Sequence, residues 1–148
     1  MYKRQTQNNT LQEDQEPLHE LPESEIEITP IVGCEFQVCE DHTNKKQKDN
    51  GYQVVLLAKN KKGYLNLAKM SSIAFVSGKY YVPRIDKKII EQYKEDIMVL
   101  TGNLYGEVPS KILNIGEKQA EEALIWWKNT FGEDLYICLL YTSPSPRD

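Results

Sequence analysis

Few side chains in this sequence have chemistry to offer. Glu35 stands in TPIVGCEFQVC, a β-branched and apolar run that reads as a strand. Alternation puts it on the side of Ile31 and Gly33, opposite Val32, Cys34 and Phe36. A carboxylate on a strand of an otherwise apolar sheet is costly without a partner. Glu35 is thus either a metal ligand or an end-of-strand acid in solvent, and the residues alone leave both open. Cys34 and Cys39 point to opposite faces of that strand and are not a CxxC metal or redox pair, so two reduced thiols are expected. Lys45, Lys46 and Lys48 form one short basic run, read as a solvated loop with weak phosphate contact as the lesser alternative. His19 is alone in an acidic stretch, where a histidine is expected to be solvated. There is no P-loop, no GxSxG and no basic aromatic groove.

The elements that must hold these residues alternate in type. After the first strand, EDHTNKKQKDNG is polar and turn-rich and reads as an exposed loop. YQVVLLAKN follows as a second strand, and its continuous apolar character suits a parallel sheet covered on both faces. In KKGYLNLAKMSSIAFVSG, Leu67, Met70, Ile73 and Ala74 recur at helical spacing and Gly78 offers a stop. Pro83 makes YYVPRID a loop, and Asp86 can cap a short helix through Tyr93. DIMVLTG reads as a third strand. Pro109 stands near the start of the next helix and Gly116 after its end. EKQAEEALIWWKNTF is the clearest helix, with Ala120, Leu124, Trp127 and Phe131 on one face and its acids towards the N-terminus. Trp126 points away from that face, as if towards an element missing from this chain. DLYI opens a fourth strand. Strand–helix alternation predicts an α/β fold of about four parallel strands with intervening helices.

Composition bounds the rest. The 148 residues carry a formal net charge of -4, with 40% hydrophobic and 27% charged residues, as in a soluble globular chain with no field to draw it to nucleic acid. No apolar run reaches the ~20 residues of a membrane span and no signal peptide is apparent, so a cytoplasmic location without membrane partners is expected. Residues 6–28 are acidic, lack Lys and Arg, and are expected to be a disordered linker or insertion. The tail CLLYTSPSPRD (residues 138–148) resembles a translated sequencing adapter of the transposase mosaic-end type. Residues 1–5 match the same oligonucleotide in the opposite orientation. Both ends are therefore set apart as adapter-derived, leaving 29–137 as the ordered portion.

Within that portion five blocks occur in order: Gly-Cys-Glu-Phe, Leu-Leu-Ala-Lys-Asn, Gly-Tyr-Leu-Asn-Leu, Pro-Arg-Ile-Asp, and Leu-Thr-Gly-Asn-Leu-Tyr-Gly-Glu-Val-Pro. Their succession resembles the PHP domain of bacterial DNA polymerase III alpha subunits, with wording closest to Bacteroidetes versions. The resemblance implies part of a distorted (β/α)7 barrel that holds divalent metal ions (Zn, Mn or Mg) with His, Asp, Glu and Cys ligands. Such a set activates water for phosphoester cleavage. Three ligand positions of the family fall inside this chain. One is retained as Glu35; Gln53 replaces a usual His, and Asn103 a usual Cys or His. Amides are poor substitutes, so the resemblance implies a decayed site with weak or no metal binding and no catalytic residue. It also makes Arg84 a phosphate-contact candidate, with Asp86 or loop backbone as its other partners.

The implied parent is a DNA-directed DNA polymerase, a nucleotidyltransferase of DNA replication. Its partners are DNA, other replicase subunits and a proofreading exonuclease, and this piece is inactive, structural or partner-binding. The alternative is a fragment of a stand-alone phosphoesterase of histidinol-phosphatase type. A closed barrel takes ~200 residues or more, so a chain of this length is expected to leave sheet edges open and to be marginally stable.

Overall fold

The computed structural model describes residues 29–139; the adapter-like ends 1–5 and 140–148, the acidic stretch 6–28 and His19 lie outside the described residues. The strands are β1 (Gly33–Cys39), β2 (Tyr52–Ala58), β3 (Ile85–Asp86), β4 (Ile97–Leu100) and β5 (Leu135–Tyr136). The helices are α1 (Lys61–Val76), α2 (Lys87–Tyr93), α3 (Glu107–Asn114) and α4 (Glu117–Phe131).

Local chemistry explains the helix boundaries. The Asn60 side chain accepts from the amides of Lys62 (2.9 Å) and Gly63 (3.1 Å), satisfying two orphan donors at the start of α1. Beyond its end, a Cβ on Gly78 would run into the Arg84 carbonyl, so only glycine allows the chain to pass there. Asp86 caps α2 by accepting from the Ile89 amide at 3.0 Å, as the sequence predicts.

Five strands pair in the order β3–β1–β2–β4–β5. The expectation of parallel strands is corrected. β1 runs antiparallel to β2 (Gly33 opposite Leu57, Val38 opposite Tyr52), and β2 antiparallel to β4. Parallel pairing occurs at β1–β3 and β4–β5. The reason lies in the connections. A parallel neighbour needs a crossover, usually helical, whereas residues 40–51 contain no helix and return the chain beside its own strand.

The apolar run in β2 has a different cause from the one first assigned. Val54 and Leu56 face the helices, and the alternating Val55 and Leu57 are half-buried on the opposite face. Phe36, Val38, Val54, Leu56, Ile97 and Val99 form the strand side of the core. Leu67 and Met70 of α1, Ile90 of α2, and Trp127 and Phe131 of α4 pack against it. All of these are nearly or fully buried, and each large side chain contributes roughly 1.5–3 kcal/mol by leaving water. Trp126 also has its partner inside the described fold. Its Nε1 donates to Glu91 at 3.2 Å and Lys87 lies 4.5 Å above its ring, so no missing element is required.

Candidate functional site

Of the three positions expected to be ligands, Glu35 and Gln53 lie on the sheet face opposite the helices and Asn103 lies in the loop after β4. Glu35 is exposed on β1 and pairs across the strand with Val55. Gln37, next along that face, pairs with Gln53. Glu35 and Gln53 are thus diagonal neighbours, roughly 7–8 Å apart at the backbone.

The loop after β4 is fastened to Gln53. The Gln53 amide donates to the Tyr105 carbonyl at 3.0 Å. Gly102, at φ 77°, lies so close that a Cβ would come within 2.7 Å of the Gln53 carbonyl oxygen. Only glycine meets both demands. In the same loop Asn103 Oδ1 accepts from the Tyr105 amide at 2.9 Å, so its acceptor is committed to the turn. Gln53 Oε1 is buried and has no partner among the described residues. The fold therefore brings Gln53 and Asn103 to one place with Glu35 alongside.

This donor set does not fit a metal centre. It has no imidazole and no thiolate, which excludes the ordinary zinc arrangements. For Mg or Mn it offers one exposed carboxylate and two neutral amide oxygens, one of them already accepting from the Tyr105 amide.

Arg84 lies elsewhere and is fully buried. Its Nε donates to the Gly78 carbonyl (3.2 Å), one terminal nitrogen to the Asp49 carbonyl (2.7 Å), and the other to those of Asn44 (3.0 Å) and His42 (3.4 Å). The Tyr80 ring stands 5.5 Å from the guanidinium carbon. Of the partners expected for Arg84, the geometry provides loop backbone: the side chain clamps residues 42–49 onto the β3 edge.

Asp86 adds a second latch, which the sequence reading missed. Its Oδ2 accepts from His42 Nδ1 at 2.6 Å and from the His42 amide at 3.4 Å. Burial works to raise the Asp86 carboxyl, but the bonds from the His42 ring and the Ile89 and His42 amides outweigh it and hold it below the usual carboxylate range. Asp41, His42 and Asp86 together form a possible metal-binding group, with ligand atoms within 4.8 Å of one another. Both Asp86 oxygens and Asp41 Oδ1 also accept hydrogen bonds from the chain, so the same residues latch the loop to β3. The only signal for it in the sequence is an aspartate–histidine pair directly after a strand.

A third polar centre lies under α3. Buried Glu107 accepts from Lys87 (2.8 Å) and Lys111 (2.7 Å) through Oε1 and from Trp127 Nε1 (2.8 Å) through Oε2. Burial pushes its carboxyl up, but the two lysines more than compensate and its pKa is lowered.

With this arrangement in view, comparison with known proteins is decisive. A family model described as the PHP domain matches residues 6–139. The chain belongs to the PHP domain family.

The PHP match takes in the acidic stretch as well as the described fold. Among curated relatives, DNA polymerase III subunit alpha of Borreliella burgdorferi is 40% identical over 114 residues, that of Aquifex aeolicus 39% over 120, and that of Chlamydia trachomatis 36% over 113. Each alignment covers 74% of this chain but only 9–10% of the relative. The chain thus spans about a tenth of the length of the relatives it matches, and the similarity lies in the PHP region.

Proposed function

We propose that this chain is a portion of a replicative DNA polymerase III alpha subunit, drawn from its PHP module, and that the portion itself neither polymerises DNA nor cleaves phosphoesters. The parent acts in the cytoplasm on DNA with other replicase subunits and a proofreading exonuclease. The PHP portion contributes structure or a docking surface there. Within this reading 29–137 is the PHP piece of an incomplete (β/α)7-type barrel, 6–28 is a linker, and the two ends are adapter-derived. The relatives named above are alpha subunits, which favours this over a stand-alone phosphatase.

The observation that carries the inactivity is the donor set of Glu35, Gln53 and Asn103, with one carboxylate and one amide already committed. The test is a phosphodiester reporter assayed with the purified chain supplied in turn with Zn, Mn and Mg. Rates at the metal-only blank are expected. Turnover that disappears in Glu35→Gln would refute the reading. Docking is tested by capture of a proofreading exonuclease with the parent and with a version deleted for this module; loss of capture on deletion is the expected result.

A further inference from the structure

We propose that Asp41, His42 and Asp86 hold a divalent transition-metal ion of the zinc class, which fastens the loop after β1 to β3. This goes beyond the replicase reading and does not rest on it. None of the three residues belongs to the Glu35, Gln53 and Asn103 set.

Two elements bring the donors together. β3 pairs in parallel with β1, with Asp86 opposite Cys39, so its carboxylate stands where β1 ends and the loop carrying Asp41 and His42 begins. One ligand atom from each residue lies within 4.8 Å of the other two. Zinc takes nitrogen and oxygen donors at about 2.0–2.2 Å, so a small inward shift of the side chains encloses it. Much of the ordering precedes the ion. Arg84 holds the carbonyls of His42, Asn44 and Asp49, and Asp86 is fixed as the cap of α2. A site ordered beforehand loses less affinity to ordering.

The atoms needed by an ion can be released without disturbing the backbone. His42 Nδ1 lies 2.6 Å from Asp86 Oδ2, and Nε2 has no partner among the described residues. An ion that replaces the proton between Nδ1 and Oδ2 leaves that proton to Nε2, which is open to carry it. Asp86 Oδ1 keeps the Ile89 amide, so the cap survives. Asp41 Oδ1 keeps the Thr43 amide and hydroxyl, while its Oδ2 has no partner among the described residues and supplies the third donor.

Charge and donor type select the ion. Two carboxylates and a neutral imidazole present two negative charges to a dication. Imidazole suits Zn, whereas Mg favours an all-oxygen octahedron. Three protein donors leave the fourth tetrahedral position to water. Lys88 near Asp41 opposes the ion, and the Arg84 donors are taken up by carbonyls.

The experiment uses the full 148-residue chain carrying Cys138→Ser, so that no exposed thiol competes. Zn is titrated by calorimetry and Co by visible absorption, and NMR separates the His42 ring from that of His19. Expected are one Zn per chain, shifts at His42, slower amide exchange at 41–43, and binding at least about tenfold tighter than Mg. His42→Gln, Asp41→Asn and Asp86→Asn should each weaken Zn by at least about tenfold. Asparagine still caps a helix, so Asp86→Asn should stay folded; if it unfolds, the two loop variants decide. Glu35→Gln should bind Zn as the unaltered chain does.

The proposal is overturned if Zn leaves the His42 ring unmoved, if Mg matches Zn, or if a folded variant at any of the three positions keeps its affinity. Retention in Asp86→Asn would place the ion on Nε2 with Asp86 only orienting the ring. Loss in Glu35→Gln would place it at the other set. These failures are distinct from that of the replicase reading, which falls on phosphodiester turnover abolished by Glu35→Gln.

Discussion

Arg84 offers the sharpest test of the physical argument, because its position in Pro-Arg-Ile-Asp made it a phosphate-contact candidate and the fold buries it. The perturbation is Arg84→Met, which keeps the stem and deletes the guanidinium. Four charge-assisted hydrogen bonds are lost, each contributing about 1.5–3 kcal/mol net. Three of the accepting carbonyls, those of His42, Asn44 and Asp49, belong to partly buried bonds and regain water when the side chain goes. The bond to the Gly78 carbonyl is buried and has no such replacement. Removing the cation also removes its own desolvation cost. The balance is about 3 kcal/mol, roughly a hundredfold in an opening equilibrium.

The assay is urea unfolding followed by tryptophan fluorescence, with hydrogen exchange of the 40–51 amides as the local readout. Expected results are a loss of that size, or an unfolded chain, and faster exchange at Glu40, Lys46 and Gly51, whose amides bond to Asp49 and Asn44 side chains. Arg84→Lys should recover little, since one ammonium cannot span carbonyls on both sides of the loop. A cost below about 1 kcal/mol with unchanged loop exchange would refute the clamp.

Two further outcomes are expected. Asp86 and Glu107 both have lowered pKa values in the folded chain, so the stability they contribute is present above their unfolded values of about 4 and is lost as pH falls through the folded ones. Unfolding free energy should therefore drop below about pH 4, and Glu107→Gln should flatten that part of the profile; an unchanged profile in Glu107→Gln would contradict the assignment. Burial pushes the Cys39 thiol up to about 11, so iodoacetamide at neutral pH should label exposed Cys138 and spare Cys39 until the chain unfolds. Equal native labelling of the two, read by mass spectrometry, would show that Cys39 is not held in the core.

The resemblance to the PHP family was carried by short blocks whose order survives without knowledge of their contacts. Local chemistry was equally legible: Asp86 as a cap, Gly78 after α1 and the apolar face of α4 depend on residues within a few positions of one another. Strand direction was not, because a run such as YQVVLLA looks the same whether its two faces meet helices on both sides or a core on one. Only the helix-free return through residues 40–51 made β2 antiparallel.

The roles of the polar residues were still less accessible. Glu35 could be assigned a face from alternation. That Gln53 would have a buried, unpaired oxygen, and that Asn103 would spend its own on the Tyr105 amide, depended on how the β4–α3 loop lands on β2. Arg84 and His42 make the same point, since all but one of their partners lie tens of residues away and the chain decides between solvent and core only when β3 closes against β1. What the sequence determined by itself was periodicity, capping and family, all set by near neighbours. The tertiary structure decided direction, burial and the partners of charge, because those depend on which distant backbone groups the packing brings within hydrogen-bond reach.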